Sequence, residues 1–259
     1  MKLSVLMENT SAQERICAEH GLSLYIESGD HRILFDMGQT DAFLQNARIM
    51  GVALEKADLA VLSHGHYDHG GGMAGFLALN DHAPVYVHAL AFGHHGHGEE
   101  KYIGLDPALR QSSRLRFVQG DVQLDDHLSL HDCNDRVCHQ PICAHGLTIR
   151  TPDGWREETF RHEQYLLIRE GGRRILISGC SHKGVVNIAR WFEPDVLIGG
   201  FHLMKVEDER ELDRIADELL KLPTQYYTAH CTGLAQYDYL KKRMQNRLAY
   251  LSAGDALSI

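Results

Sequence analysis

Four side chains able to bind a metal ion crowd into the stretch L-A-V-L-S-H-G-H-Y-D-H-G-G-G, Leu59 to Gly72: His64, His66, Asp68 and His69. Imidazole nitrogens and a carboxylate oxygen suit zinc, manganese or iron, and such a set can divide its members between two ions a few ångströms apart. The apolar run Leu59 to Leu62 reads as a short buried strand. The ligands then fall in the loop leaving its C-terminal end, where α/β folds gather their chemistry. Gly65 and Gly70 to Gly72 let backbone come close to whatever the loop holds. A polar loop rich in histidine by chance is the competing reading in a chain with 18 His. The ordered H-x-H-x-D-H spacing directly after a strand argues against it.

Further candidates lie downstream. G-C-S-H-K-G at Gly179 to Gly184, G-G-F-H-L at Gly199 to Leu203 and H-C-T-G at His230 to Gly233 each place a histidine just beyond an apolar run. Asn9, Glu19 and His20 sit in a polar loop able to reach the mouth of the site as substrate contacts, with Glu19 capping a turn as the bland alternative. His88 ends a strand, either facing the cleft or satisfied structurally, and His202 is another possible substrate contact. His94, His95 and His97 stand among glycines and read as solvent-exposed, adventitious binders. Cys133, Cys138 and Cys143, near His131, His139 and His145, lack the spacing of a common zinc ribbon, so reduced thiols in a loop are preferred to a structural zinc.

The motif at Leu59 to Gly72 resembles the signature of the metallo-β-lactamase superfamily. E-N-T at Glu8 to Thr10, E-H-G-L-S at Glu19 to Ser23 and the three later motifs resemble its dihydropterin-(ribofuranosyl)aminobenzene phosphate synthase-like branch of metal-dependent hydrolases. The resemblance implies an α/β (α+β) fold, a four-layer αββα sandwich. It also implies two divalent transition-metal ions, zinc first and manganese or iron next. By that resemblance His64, His66 and a later histidine hold one ion, while Asp68, His69 and His230 hold the other. The superfamily places a histidine before a late hairpin and a bridging Asp after it. His162 stands near the first place and Cys180 in the second, with His182 two residues on, so His162, Cys180 and His182 all remain candidate ligands. Asp68 and His182 are the catalytic candidates, and Asp36 is expected to orient a ligating histidine.

The elements that must position these groups follow the hydrophobic period. Lys2 to Met7, Leu22 to Glu27 and Arg32 to Phe35 read as opening antiparallel strands, and Asp41 to Met50 as a helix covering them. Gly72 to Leu79 read as a helix and Pro84 to His88 as a strand. Residues from about 93 to 160 lose the pattern and read as a flap or recognition insertion within a single domain 1–259, with a pair of short strands around Gly120. His162 to Ile168 and Arg173 to Ser178 form a hairpin turning at Gly171-Gly172. Helix Val185 to Trp191, strand Asp195 to Ile198, helix Glu209 to Leu222, strand Tyr226 to Ala229 and a basic helix Asp238 to Arg247 complete the chain.

Composition narrows the function. At 259 residues with 44% apolar and 24% charged residues, the chain has the make-up of a folded globular protein, not of a disordered one. A formal charge of -9 opposes nucleic acid. No apolar run nears the roughly 20 residues that span a bilayer. Without a secretory pattern at Met1 to Met7, a cytoplasmic protein is expected. There is no G-x-S-x-G elbow and no P-loop. Three classes stay open: a hydrolase of a small phosphoester, lactone or related molecule, a transferase of the synthase type, and a non-catalytic metal sensor or redox protein. The expected partner is a small molecule, and the oligomeric state is left open.

Overall fold

A computed structural model describes residues 1–11 and 13–259. Two seven-stranded sheets carry the core, and a four-stranded sheet stands beside them. The first runs Ala256–Ser258 (β18), Lys2–Met7 (β1), Ser23–Ser28 (β2), His31–Phe35 (β3), Leu59–Val61 (β4), Val85–His88 (β5), Leu115–Val118 (β8). Its first three joints are antiparallel and its last three parallel. The second runs Val122–Gln123 (β9), Leu128–His131 (β10), Tyr165–Glu170 (β13), Arg173–Ile177 (β14), Val196–Gly199 (β15), Gln225–Thr228 (β16), Leu248–Tyr250 (β17), again with three antiparallel joints followed by three parallel ones.

Period-two alternation sorts each strand's side chains between two apolar layers. In β14, Ile175 and Ile177 point between the sheets, where they meet Ile33 and Val61 of the first sheet. Leu176 points the other way, onto helices Val185–Phe192 (α4), Glu209–Leu220 (α5) and Leu234–Met244 (α6), where Ile188, Ile215 and Leu240 join it. On the far side of the first sheet, Leu34 and Ala60 pack against Phe43 and Ala47 of Ala42–Met50 (α1) and Phe76 of Met73–Leu79 (α3). The result is the expected four-layer αββα sandwich. Truncating one inner residue, such as Ile177 to Ala, costs about 2–5 kcal/mol.

The structure departs from the sequence reading in three places. The strands expected around Gly120 do not pair with each other: β8 ends the first sheet and β9 opens the second, so Gly120, at φ +72°, lies where the chain crosses between sheets. The patternless stretch holds the whole of the small sheet, ordered Gly154–Glu157 (β12), Leu147–Thr151 (β11), His95–His97 (β6), Lys101–Tyr102 (β7). The last helix starts at Leu234 and stops at Met244, because the chain must turn there to lay down β17.

Candidate metal centre

The parallel strands of both sheets deliver the site from their C-terminal ends. Beyond β3 comes Asp36; beyond β4 come Ser63, His64, His66 and the single helical turn Tyr67–Gly70 (α2) that carries Asp68 and His69. Beyond β14 come Cys180 and His182, beyond β15 His202, and beyond β16 His230. Asp36, Ser181, His202 and His230 all take left-handed backbone, at φ 58°, 60°, 53° and 53°. Each such non-glycine residue costs about 1–3 kcal/mol. That strain swings the chain back over the strand ends.

Two groups of ligands result. His64 Nε2 lies 3.2 Å from His182 Nε2, and a nitrogen of His66 completes a buried trio. His69 Nε2 lies 3.2 Å from His230 Nε2, and Asp68 Oδ2 lies 3.3 Å from His230 and 3.7 Å from His69. Cys180 Sγ stands 3.1 Å from His69 Nε2 and forms a further buried trio with His64 and His69, between the two groups.

Hydrogen bonds behind the rings fix their tautomers. Asp36 accepts from the Ser63 amide at 2.7 Å, the Ser63 hydroxyl at 2.8 Å and His69 Nδ1 at 2.6 Å. Ser63 Oγ, its proton given to Asp36, accepts from His64 Nδ1 at 2.8 Å. His230 Nδ1 donates to Asn9 Oδ1 at 2.7 Å, while Glu8 Oε1 holds the His230 amide at 2.6 Å and the Tyr250 hydroxyl at 2.7 Å. In the neutral rings the Nε2 atoms of His64, His69 and His230 therefore face the cleft with lone pairs. Two lone pairs and the Asp68 carboxylate converging within hydrogen-bonding distance repel one another unless a cation joins them, so the donor set fits a metal ion.

The electrostatics agree. Burial, followed by the neighbouring imidazoles, holds His64 and His182 well below the ordinary histidine pKa; for His66, burial and His162 do the same. These rings stay neutral and able to bind. Burial opposes the His69 imidazolium, but Asp36 and Asp68 outweigh it and lift the pKa to about 9, so without a metal ion a proton occupies His69 Nε2, in the place a cation would take. Burial likewise opposes the Asp68 carboxylate, and His69, His20 and His230 overcome that and hold it well below the usual range. Burial and Cys231 push the Cys180 thiol up.

The remaining candidates separate. His20 Nε2 reaches Asp68 Oδ2 at 3.3 Å and joins the second group from its exposed rim. His202 packs 4.2 Å from the His182 ring and lines the cavity mouth. Asn9 holds His230 and His20 by hydrogen bonds, at 2.7 and 3.3 Å. Glu19 caps a turn, its carboxylate taken by Gln39 and Thr40. His88 is a structural histidine, 1% exposed, which accepts from the Leu90 amide and donates to Asp132. His162 Nδ1 accepts from the Gly65 amide at 2.9 Å, so the neutral ring carries its proton on Nε2 and offers no lone pair there, which argues against its place among the ligands. His95, expected in solvent, is fully buried. Cys133 is buried with its thiol pushed up to about 12 by burial, while Cys138 and Cys143 are exposed, and all six cysteines are free. Sequence reasoning also missed Glu8 and Ser63; Glu8 sits in a recognised motif and binds the nearby Thr10 through one oxygen, but the partners of its other oxygen, His230 and Tyr250, are more than 200 residues away.

Comparison with known proteins fits this geometry. The profile described as "Metallo-beta-lactamase superfamily" matches residues 18–137. An uncharacterized protein of Methanocaldococcus jannaschii is 31% identical over 99% of this chain and 100% of its own length. The chain belongs to the metallo-β-lactamase superfamily. Within it, the chain is similar to the 7,8-dihydropterin-6-methyl-4-(β-D-ribofuranosyl)-aminobenzene-5'-phosphate synthase of the same organism, 26% identical over 92% of this chain and 89% of that one. It is also similar to a solved metal-dependent hydrolase of the β-lactamase superfamily, with a TM-score of 0.82 at 28% identity over 100% of this chain and 99% of that one.

Proposed function

We propose that this protein is a metal-dependent hydrolase that holds two divalent transition-metal ions, zinc being the best match to the histidine-rich donor set. The observation that carries the reading is the convergence of bare Nε2 lone pairs and the Asp68 carboxylate at the strand ends of both sheets. His64, His66 and His182 would hold one ion, and Asp68, His69 and His230 the other, with Cys180 beside them. When bound, such a pair supplies a Lewis acid and lowers the pKa of water towards neutrality. The protein's own part is to hold the rings in one tautomer through Asp36, Ser63 and Asn9. Asp68, buried but lining the cavity and kept ionised, is placed to receive a proton from an attacking water.

The cavity over this centre has a volume of about 180 Å³ and is lined by Tyr67, Ile103, Met204 and Lys205 together with Asp68, His182 and His230, which suits a small molecule with an apolar part and an anionic group. A phosphoester, or a lactone carrying such a group, fits that description. A synthase-type transfer is the second reading, favoured by one feature. A further cavity of about 260 Å³ shares His182 and His202 with the first, giving room for a second substrate. Six free cysteines suit a reducing, cytoplasmic setting. No helix among the described residues is long and apolar enough to cross a membrane. Elemental analysis followed by a turnover screen on phosphodiesters, lactones and pterin phosphates tests the proposal. Close to two ions per chain with hydrolysis of one substrate class is expected, and less than about half an equivalent after growth with added metal would refute it.

A further inference from the structure

Behind His66, away from His182, lies a second buried cluster: His95, Glu158 and His162, all nine-tenths buried or more. A nitrogen from each of the three histidines and a Glu158 oxygen fall within 4.8 Å of one another. By composition this quartet looks like a metal site; its hydrogen bonds point elsewhere. Glu158 Oε2 accepts from His95 Nδ1 at 2.6 Å, and Glu158 Oε1 accepts from the Thr159 and Phe160 amides at 2.9 and 3.1 Å. Both carboxylate oxygens are thus committed. His162 carries its proton on Nε2, for the reason given above, and its ring lies against that of His95 with centroids 4.0 Å apart.

Three nitrogens of the cluster are left over: His66 Nε2, His95 Nε2 and His162 Nε2 are buried with no protein partner, and the His162 Nε2 proton lies on the Glu158 side, 3.7 Å from Oε2. Because His95 donates from Nδ1, its Nε2 bears a lone pair. His66 takes part in both clusters, one with His64 and His182 and the other with His95. We propose that His95 and Glu158 are positioning residues for His66: Glu158 sets the tautomer of His95, and His95 Nε2 accepts the His66 Nε2 proton across a gap that one water spans. His66 is thereby left to offer Nδ1 to the ion it shares with His64 and His182. The small sheet supplies both residues, His95 opening β6 and Glu158 directly following β12. The insertion is therefore a bracket behind one metal ligand. The proposal rests on the two-ion reading of the centre.

Cobalt(II) titration of the metal-free protein tests it, with stoichiometry, affinity and the visible absorption of the bound ion as readouts. Wild type is expected to take up two equivalents. His95→Ala should weaken one of them about 10–100-fold and shift its absorption, as loss of a ligand's hydrogen-bond partner does, while leaving the other within about twofold. His95→Gln, which keeps an acceptor, should recover part of the loss. Should His95→Ala not fold, the near-isosteric Glu158→Gln carries the same expectation. Unchanged affinities and absorption in a folded variant overturn the proposal. So does a third equivalent in wild type that His95→Ala abolishes, since His95 would then be a ligand itself. Wild type that binds no cobalt refutes the two-ion reading directly, before any variant is compared.

Discussion

At the scale of single residues, the late turn G-C-S-H decides which atom completes the first ligand group. His182 Nε2 faces His64, whereas Cys180 Sγ faces His69. His182→Ala should therefore lose the ion shared with His64 and His66, while Cys180→Ser should keep both ions with weakened affinity, as elemental analysis after dialysis against a mild chelator would show. Retention of both ions in His182→Ala would transfer the role to the thiol. Asp36 tests the supporting bonds. Asp36→Asn removes the charged acceptor for His69 and Ser63, and an affinity loss of about 10–100-fold is expected. It also bears on pH. The folded-state pKa of His69 is raised, so in the metal-free protein its contribution to stability is complete below the unfolded value near 6.5 and is lost as pH rises through about 9. Melting temperature in chelator should fall across that window in wild type and fall less in Asp36→Asn. The ligands were legible because H-x-H-x-D-H is local in sequence. His95 was misread because its burial depends on Glu158, 63 residues away, which no local pattern reveals.

Elements with a strong period, such as α1, α5, β13 and β14, were readable to within a few residues, since alternation or a helical stripe is written directly in their side chains. Strands of two to four residues, including β7, β9, β12, β17 and β18, are too short to display a period. Their pairing is fixed by the strands already beside them. The strand ends also impose close backbone approach that only glycine permits. At Gly199, with φ +143°, a Cβ would stand 1.9 Å from the Ser178 carbonyl oxygen. Gly199→Ala should cost at least about 3 kcal/mol, by strain and overpacking together, and should also reduce metal retention, because the β14 and β15 loops would be forced apart. A urea midpoint unchanged from wild type would contradict this account.

For the molecule as a whole, the two sheets must hold one register, since each contributes side chains to both candidate ligand groups. Gln164, 1% exposed, crosses between them: its amide donates to the Leu62 and Tyr86 carbonyls of the first sheet at 2.8 and 3.3 Å, and its backbone N–H to Ser63 at 2.8 Å. Gln164→Ala would leave buried carbonyls unpaired and open a void, for a loss of about 2–4 kcal/mol in chelator; an unchanged urea midpoint would show that the sheets hold their register without it. The αββα class was legible from the resemblance of the motifs, but such a bridge between residues roughly a hundred positions apart was not. The two sheets also share one order of joints, three antiparallel and then three parallel. Laying one upon the other matches β3 with β14 and β4 with β15, so the turn bearing Asp36 corresponds to that bearing Cys180, and the loop of His64 to that of His202. The two sheets thus repeat one arrangement of strands and loops. Either sheet alone would leave its inner apolar face exposed and its ligand groups incomplete, so one pairing of the two sheets both buries the core and assembles the site.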